Sequence, residues 1–227
     1  MALLCQHWIS SVPSCRSAWD RVQTKTHPPN RARRETRYGN EAPMNARVII
    51  LNGVGCVGKT STAKALQTIT AEPFLHVQMD AFIDMLPTAM REHPDGMMFD
   101  TVQNDGKPSV IIRTGPVMDR AMRGMRHAIA AMAAQGNHLI VDDVILDHRK
   151  QPEYRSLLAP FETYLVGLFA PLDVLEAREQ ERGDRLPGLA RWQYHRVHSG
   201  LTYDLQIDTA ASSPLECAHK IRAAFNL

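Results

Sequence analysis

The chain has 227 residues, of which 44% are hydrophobic, so its length and composition suit one globular domain with a sizeable core. The net charge is +2, yet residues 1–43 hold seven Lys and Arg against three Asp and Glu, which leaves 19 against 21 in the remainder. This mildly acidic body argues against nucleic acid as a partner, and no apolar run approaches the 18 residues of a membrane-spanning helix.

The basic N-terminal segment, residues 1–43, is predicted to be disordered. It contains Pro13, the pair Pro28-Pro29 and the run Arg31-Ala32-Arg33-Arg34, and it shows no sustained apolar period. An organelle transit peptide is the functional alternative. Met44 lies immediately before the first predicted strand, so we expect a non-native upstream extension over 1–43 and one folded domain over 44–227.

Cysteine usage indicates the compartment. The four cysteines form no C-x-x-C pair, and they lie at Cys5, Cys15, Cys56 and Cys217. This pattern predicts a reducing, cytoplasmic setting without disulfides or zinc.

In chain order, apolar runs alternate with helical patterns. The predicted strands lie at residues 47–51, 74–79, 138–143, 162–169 and 203–208. The predicted helices lie at residues 59–69, 81–92, 115–135, 172–181 and about 188–198, and a last helix opens at the capping box Ser213 to Glu216. Residues 93–113 are predicted to be irregular. The alternation predicts an α/β fold whose five-stranded parallel sheet is flanked by helices, with the active site at the carboxyl ends of the strands.

The segment after the first strand matches G-x-x-x-x-G-K-[ST], the phosphate-binding P-loop of nucleoside triphosphatases. Glycines let the backbone N–H groups approach phosphate oxygens, and the following helix adds partial positive charge at its N-terminus. Lys59 is predicted to reach the β- and γ-phosphates, and the Thr60 hydroxyl to bind Mg²⁺. The predicted nucleotide-binding residues are Gly53, Val54, Gly55, Cys56, Val57, Gly58, Lys59, Thr60, Ser61 and, further along, Arg178.

Carboxylates follow two other predicted strands. Asp142 and Asp143 occupy the position of a Walker-B acid, which holds Mg²⁺ opposite Thr60; we favour Asp142, although the sequence barely separates the two. Asp80 ends the second predicted strand. It is either the general base of a small-molecule kinase or the N-cap of the next helix, and spacing alone leaves both open.

Three arginines at a helix end and in the Gly-broken loop after it are candidates for a lid over the nucleotide. Arg178, Arg182 and Arg185 could reach the transferring phosphoryl group; the alternative is a solvated, charged helix end. His195 and His198 are interpreted as surface histidines rather than a metal pair. Because the sequence lacks an N-K-x-D motif for guanine, ATP is the expected nucleotide.

Beyond these patterns, the chain resembles the chloramphenicol phosphotransferase family from about residue 46 to its C-terminus. The resemblance rests on the P-loop with the strand before it, and on the segments 79–87, 140–146, 178–185 and 203–209. It is weakest in the P-loop, which has Val54, Cys56 and Val57 where small and hydroxyl residues are expected, and over residues 88–113.

That resemblance implies a fold like adenylate and shikimate kinases, and ATP-dependent phosphorylation of a hydroxyl group on a small molecule. It implies Asp80 as the base, Lys59 and Thr60 as phosphate and Mg²⁺ residues, and Arg182 and Arg185 as lid arginines. Chloramphenicol is the leading named acceptor. The alternatives are another small-molecule kinase, of shikimate or nucleoside type, and a nucleotide-gated binding protein without transfer activity. The oligomeric state is left open, a homo-oligomer being one alternative.

Overall fold

The structure is a computed structural model that describes residues 46–104, 106–183 and 186–227. Its strands are β1 (Arg47–Asn52), β2 (Phe74–Gln78), β3 (Met97–Asn104), β4 (Lys107–Thr114), β5 (His138–Asp143), β6 (Glu162–Phe169) and β7 (Leu205–Asp208). Its α-helices are α1 (Lys59–Ile69), α2 (Met79–Asp84), α3 (Pro116–Ala134), α4 (Lys150–Leu157), α5 (Leu172–Arg182), α6 (Leu189–Tyr194) and α7 (Pro214–Phe225), and a 3₁₀ turn covers Thr88–Met90.

Five strands form the predicted parallel sheet, in the order β2-β5-β1-β6-β7. Alternate residues of the central strand β1 face opposite sides, so Ile49 and Leu51 lie in one hydrophobic core and Val48 and Ile50 in another. Helices α1 and α7 cover the first side, and α3 and α4 cover the second. The five-stranded α/β fold is therefore confirmed.

The sequence-based prediction was wrong between the second strand and the long helix. Residues 93–113, expected to be irregular, contain the antiparallel hairpin of β3 and β4. Most of its side chains are at least partly exposed, which weakens the hydrophobic periodicity that identifies strands.

Helix boundaries also differ from the prediction. Helix α2 begins at Met79, so Asp80 lies in its first turn rather than at a strand end. It ends at Asp84 instead of residue 92, shortly before Pro87, whose ring disfavours helical geometry in the residue before it. Helix α4 was not predicted, and α6 ends at Tyr194 rather than near residue 198.

The last helix begins as predicted. Ser213 accepts a hydrogen bond from the backbone N–H of Glu216, whose side chain accepts one in return from the N–H of Ser213. Among the helices of the described residues, none combines the length and apolar character needed to cross a bilayer. The predictions for residues 1–43 lie outside the described residues.

Candidate active site

The phosphate-binding loop connects β1 to α1 at the carboxyl edge of the sheet. Its backbone enters the left-handed region at Cys56 (φ 64°) and at Gly58 (φ 100°). Gly53 is required by space, because a Cβ there would lie 2.7 Å from the carbonyl oxygen of Leu168 and 2.8 Å from Val57. The loop therefore keeps its shape despite the unusual residues Val54, Cys56 and Val57.

Lys59 is the buried cation of this loop, with only 8% of its surface exposed. Its Nζ donates to the carbonyl oxygens of Gly53 (2.9 Å) and Val54 (3.1 Å), and it lies 3.9 Å from Oδ1 of Asp142. Gly53 and Val54 thus hold the lysine through their carbonyls, whereas residues 55–62 line the cavity itself.

Thr60 and Asp142 bring two side-chain oxygen atoms together near Lys59. The Thr60 hydroxyl donates to Oδ2 of Asp142 over 2.5 Å. Burial acts to raise the pKa of Asp142, but His76, Lys59 and Thr60 outweigh it, so the pKa lies below its ordinary value. Nε2 of His76 lies 3.8 Å from Oδ2, beyond hydrogen-bond distance, so its effect there is electrostatic.

This oxygen pair fits a hard divalent cation whose other positions are filled by phosphate and water. Mg²⁺ bound to nucleotides commonly takes only one or two protein ligands. Within the described ranges, no three His, Cys, Asp or Glu side chains converge as a complete metal site. A nucleotide-dependent magnesium site is therefore the arrangement that these residues support.

The two neighbouring aspartates face different cavities, because successive side chains of a strand point to opposite faces. Asp142 lines the P-loop cavity, and Asp143 lines a second cavity beside it. Asp143 accepts a hydrogen bond from the Tyr154 hydroxyl (2.6 Å) and one from the N–H of Val144 (2.7 Å). Burial nevertheless raises the pKa of Asp143 above its usual value. The structure thus separates two residues that the sequence did not.

The P-loop cavity has a volume of about 440 Å³. It extends from residues 55–62 to the segment between β7 and α7, where Thr209, Ser212 and Pro214 line it. Arg178 also lines it and donates to the side chain and the carbonyl oxygen of Thr209, at 3.2 and 2.8 Å. The lining of this cavity therefore includes both the P-loop and Arg178.

The second cavity is larger, with a volume of about 830 Å³, and its walls are mixed. One wall is apolar and rich in methionine, and it contains Met97, Phe99, Ile112, Met118, Met122 and Met125. Charged side chains also line it, among them Arg123, Arg126, Asp147, Arg149 and Glu153. The hairpin that the sequence analysis missed supplies part of the apolar wall. Such a cavity suits an amphiphilic molecule.

Five residues line both cavities and mark the boundary between them: Met79, Asp80, Val144, Leu189 and Gln193. Only Asp80 and Gln193 among these five have polar side chains. Asp80 is therefore the acidic side chain at the boundary between the two cavities. The N-cap interpretation of Asp80 was wrong, because Gln78 is the N-cap of α2 and Asp80 lies inside the first turn of the helix.

Gln193 was not identified from the sequence. Its side-chain Oε1 accepts a hydrogen bond of 2.7 Å from the backbone N–H of Gly55, although the residues are 138 positions apart. Glu179 was missed as well: it is buried and accepts bonds from the N–H groups of Gly188 (2.7 Å) and Ala190 (2.8 Å). A lone polar residue in a helical pattern gives no signal for either contact.

The three candidate lid arginines differ in what the structure describes. Arg178 and Arg182 both line the P-loop cavity. Arg185 lies outside the described residues.

The two histidines differ as well: His195 is exposed as predicted, but His198 is half-buried, stacked on Phe169 with ring centroids 3.9 Å apart. The prediction of a surface histidine was therefore wrong for His198.

Comparison with known proteins shows which family the chain belongs to. The family model described as chloramphenicol phosphotransferase-like protein matches residues 46–226. The chain belongs to the chloramphenicol phosphotransferase-like family. It is also 32% identical over 204 residues to a candidate O-phosphotransferase found in two strains of Mycobacterium tuberculosis, covering 87% of this chain and 91% of that protein.

Solved structures share its fold at lower identity. The Mycobacterium tuberculosis APS kinase CysC, in complex with AMPPNP and APS, has a TM-score of 0.57 at 14% identity and covers 82% of this chain and 100% of its own. A gluconokinase from Sinorhizobium meliloti has a TM-score of 0.55 at 18% identity, covering 81% and 93%. The tunicamycin resistance protein of Deinococcus radiodurans has a TM-score of 0.52 at 21% identity, covering 80% and 96%. The family and the fold together identify a small-molecule phosphotransferase of the kinase type.

Proposed function

We propose that the chain transfers the γ-phosphoryl group of ATP to a hydroxyl group of a small amphiphilic molecule. The observation that carries this proposal is the position of Asp80 at the boundary between a P-loop cavity and a larger, methionine-rich cavity. The first cavity suits ATP, and the second suits the acceptor. Chloramphenicol is the first acceptor to test, because of the family to which the chain belongs.

In the proposed reaction, the acceptor oxygen attacks the γ-phosphorus while Asp80 takes the proton of the hydroxyl group. The bond between the γ-phosphorus and the bridging oxygen breaks, and the products are ADP, the phosphorylated alcohol and one proton. Lys59 and the loop amides bind the phosphate oxygens, and Arg182 and Arg185 contribute charge at the transferred group. Thr60 and Asp142 would hold Mg²⁺, which supplies charge neutralisation when bound.

Free thiols support a reducing compartment for this reaction. Cys56 and Cys217, the two cysteines among the described residues, form no disulfide there. A cytoplasmic location is part of the proposal, and we propose neither nucleic acid nor a membrane as a partner.

The test combines a product assay with one pair of variants. Phosphorus NMR of ATP and Mg²⁺ with chloramphenicol and a panel of hydroxylated antibiotics and metabolites should show ADP and a new phosphate ester. Asp80→Ala should leave ATP affinity near normal and lower kcat by about 10²–10⁴-fold, the size of a general-base effect. Asp84→Ala removes a carboxylate from the same helix that lines only the larger cavity, so it should act on acceptor KM more than on kcat.

Two outcomes would contradict the proposal. ATP binding without an ester from any acceptor would favour a nucleotide-gated binding protein. Near-wild-type turnover of Asp80→Ala would limit Asp80 to its place in the first turn of α2.

A further inference from the structure

Gln193 is the second polar side chain at the boundary between the two cavities, and its orientation is fixed by chemistry. Within a side-chain amide group only the oxygen can accept a hydrogen bond, so the 2.7 Å bond donated by the Gly55 N–H identifies the atom beside the P-loop as Oε1. The amide nitrogen Nε2 is therefore on the other branch of the planar amide group, directed away from the Gly55 N–H. No described residue accepts a hydrogen bond from it.

Gln193 is held both through its backbone carbonyl and through its side-chain oxygen. Gln193 is 4% exposed, and its own carbonyl oxygen accepts bonds from the N–H groups of Arg196 (2.9 Å) and Val197 (3.0 Å). Gly55 is confined as well, since a Cβ there would come within 3.3 Å of Oε1. An amide held at a cavity boundary with a directed donor is a prearranged hydrogen-bond group.

Resting on the proposed function, we propose that Nε2 of Gln193 donates a hydrogen bond to an oxygen of the γ-phosphoryl group. The boundary then holds one acceptor of a proton, Asp80, and one donor to the transferred group, Gln193. The donor distinguishes a nucleoside triphosphate from a diphosphate, because the diphosphate has no atoms at the boundary. In this arrangement Gly55 anchors the amide of Gln193 and leaves the other loop amides for phosphate.

A purely structural role is the alternative, in which Gln193 only ties α6 to the P-loop. The two roles differ in nucleotide selectivity. Isothermal titration would compare ADP with AMPPNP, each with Mg²⁺, on the full chain. Because a hydrogen bond to a charged group contributes about 10–100-fold in an equilibrium constant, Gln193→Met should weaken AMPPNP binding by about 10-fold or more beyond any loss of ADP binding that follows from the lost contact with Gly55.

A second variant keeps the anchor and replaces the donor with a negatively charged acceptor. Gln193→Glu still accepts from Gly55 through one oxygen, but it places a second carboxylate oxygen where Nε2 was. It should retain the wild-type melting temperature within a few degrees and lose AMPPNP affinity more than ADP affinity. Gln135→Met, which changes an exposed glutamine after α3, is the surface control and should bind both nucleotides as the wild type does.

The outcomes distinguish the donor role of Gln193 from a structural role. AMPPNP-selective loss in both Gln193 variants supports the donor role. Equal loss of both nucleotides, or wild-type binding by Gln193→Glu, would overturn it and leave a structural tie. If the wild-type chain bound neither nucleotide, the proposed function itself would fail. If the wild-type chain bound both nucleotides and the variants showed no selectivity, only the donor role of Gln193 would fail.

Discussion

At the scale of single residues, the carboxyl end of β5 shows how one strand can serve two cavities. Asp142 contacts Thr60 and lies near Lys59, whereas Asp143 contacts Tyr154 on the opposite face. Their pKa values are shifted in opposite directions, down for Asp142 and up for Asp143, because cations and a hydroxyl surround the first and burial dominates at the second. The two acids therefore have different tasks.

This difference predicts distinct phenotypes for two conservative variants. Asp142→Asn should lower kcat by about 10²-fold or more and raise the Mg²⁺ concentration needed for half-maximal activity, because it removes a charged ligand of the cation. Asp143→Asn should leave the Mg²⁺ requirement unchanged and alter acceptor KM. Turnover measured as a function of Mg²⁺ concentration separates them, and identical Mg²⁺ curves for both variants would refute the assignment.

Residues that belong to one contiguous motif could be recognised from the sequence. The loop between β1 and α1 could be recognised because Gly53, Lys59 and Thr60 stand at the fixed spacing of the P-loop motif between a strand and a helix. The sequence could not tell which of Asp142 and Asp143 faces the P-loop cavity, since the alternation of a strand places neighbours on opposite faces but does not say which face is which. Gln193 could not be found either, because its contact with Gly55 joins distant parts of the chain.

At the scale of elements, the segment from α5 to α6 is attached to the rest of the site by buried and partly buried polar contacts. Glu179 joins the end of α5 to the beginning of α6, and the N–H of Val110 in β4 donates to the carbonyl oxygen of Gly188 (3.1 Å). Glu176 forms ion pairs with Arg191 of α6 and with Lys107 of β4. Polar contacts therefore link the hairpin, which lines the larger cavity, to the arginine-bearing helix α5, which lines the P-loop cavity.

Glu179 is the residue on which this linkage most depends. Glu179→Ala leaves two buried N–H groups without their charged acceptor, so it should lower the free energy of unfolding by about 2–3 kcal/mol. Because the chain around Arg182 loses its anchor, kcat should fall further than the stability change alone explains. Urea unfolding and steady-state kinetics measure the two effects.

The control for this helix is Gln180→Ala, which alters the adjacent, exposed position and should be nearly neutral in both measurements. A stable Glu179→Ala variant with full activity would show that α6 keeps its place without this side chain.

At the scale of the whole molecule, the fold was the easier prediction and its peripheral hairpin the harder one. Continuous apolar runs identified the buried parallel strands, since both faces of such strands are covered by helices. The hairpin of β3 and β4 carries little buried surface of its own and gives a weak period. It also forms part of the larger cavity, so the region hardest to predict from sequence lines the pocket that we propose for the acceptor.

The stability of the whole molecule should depend on pH through His198. This ring stacks on Phe169, and its Nδ1 lies 2.7 Å from the Tyr203 hydroxyl. Burial, together with the charge of Lys59, lowers the pKa of His198 to about 4 from an ordinary value of 6.5. The unfolded chain therefore binds this proton more readily than the folded one. The stabilising contribution of the neutral ring is present above about pH 6.5 and is lost as the pH falls towards 4.

Chemical unfolding between pH 5 and pH 7.5 tests this coupling through the slope of unfolding free energy against pH. His198→Asn should reduce that slope over this interval, even if it lowers stability at every pH, because the asparagine cannot take up a proton on unfolding. His195→Asn alters an exposed histidine three residues earlier and should leave the slope unchanged. If both variants kept the wild-type slope, the acid sensitivity would belong to other groups, and His198 would be a packing residue whose charge state folding does not alter.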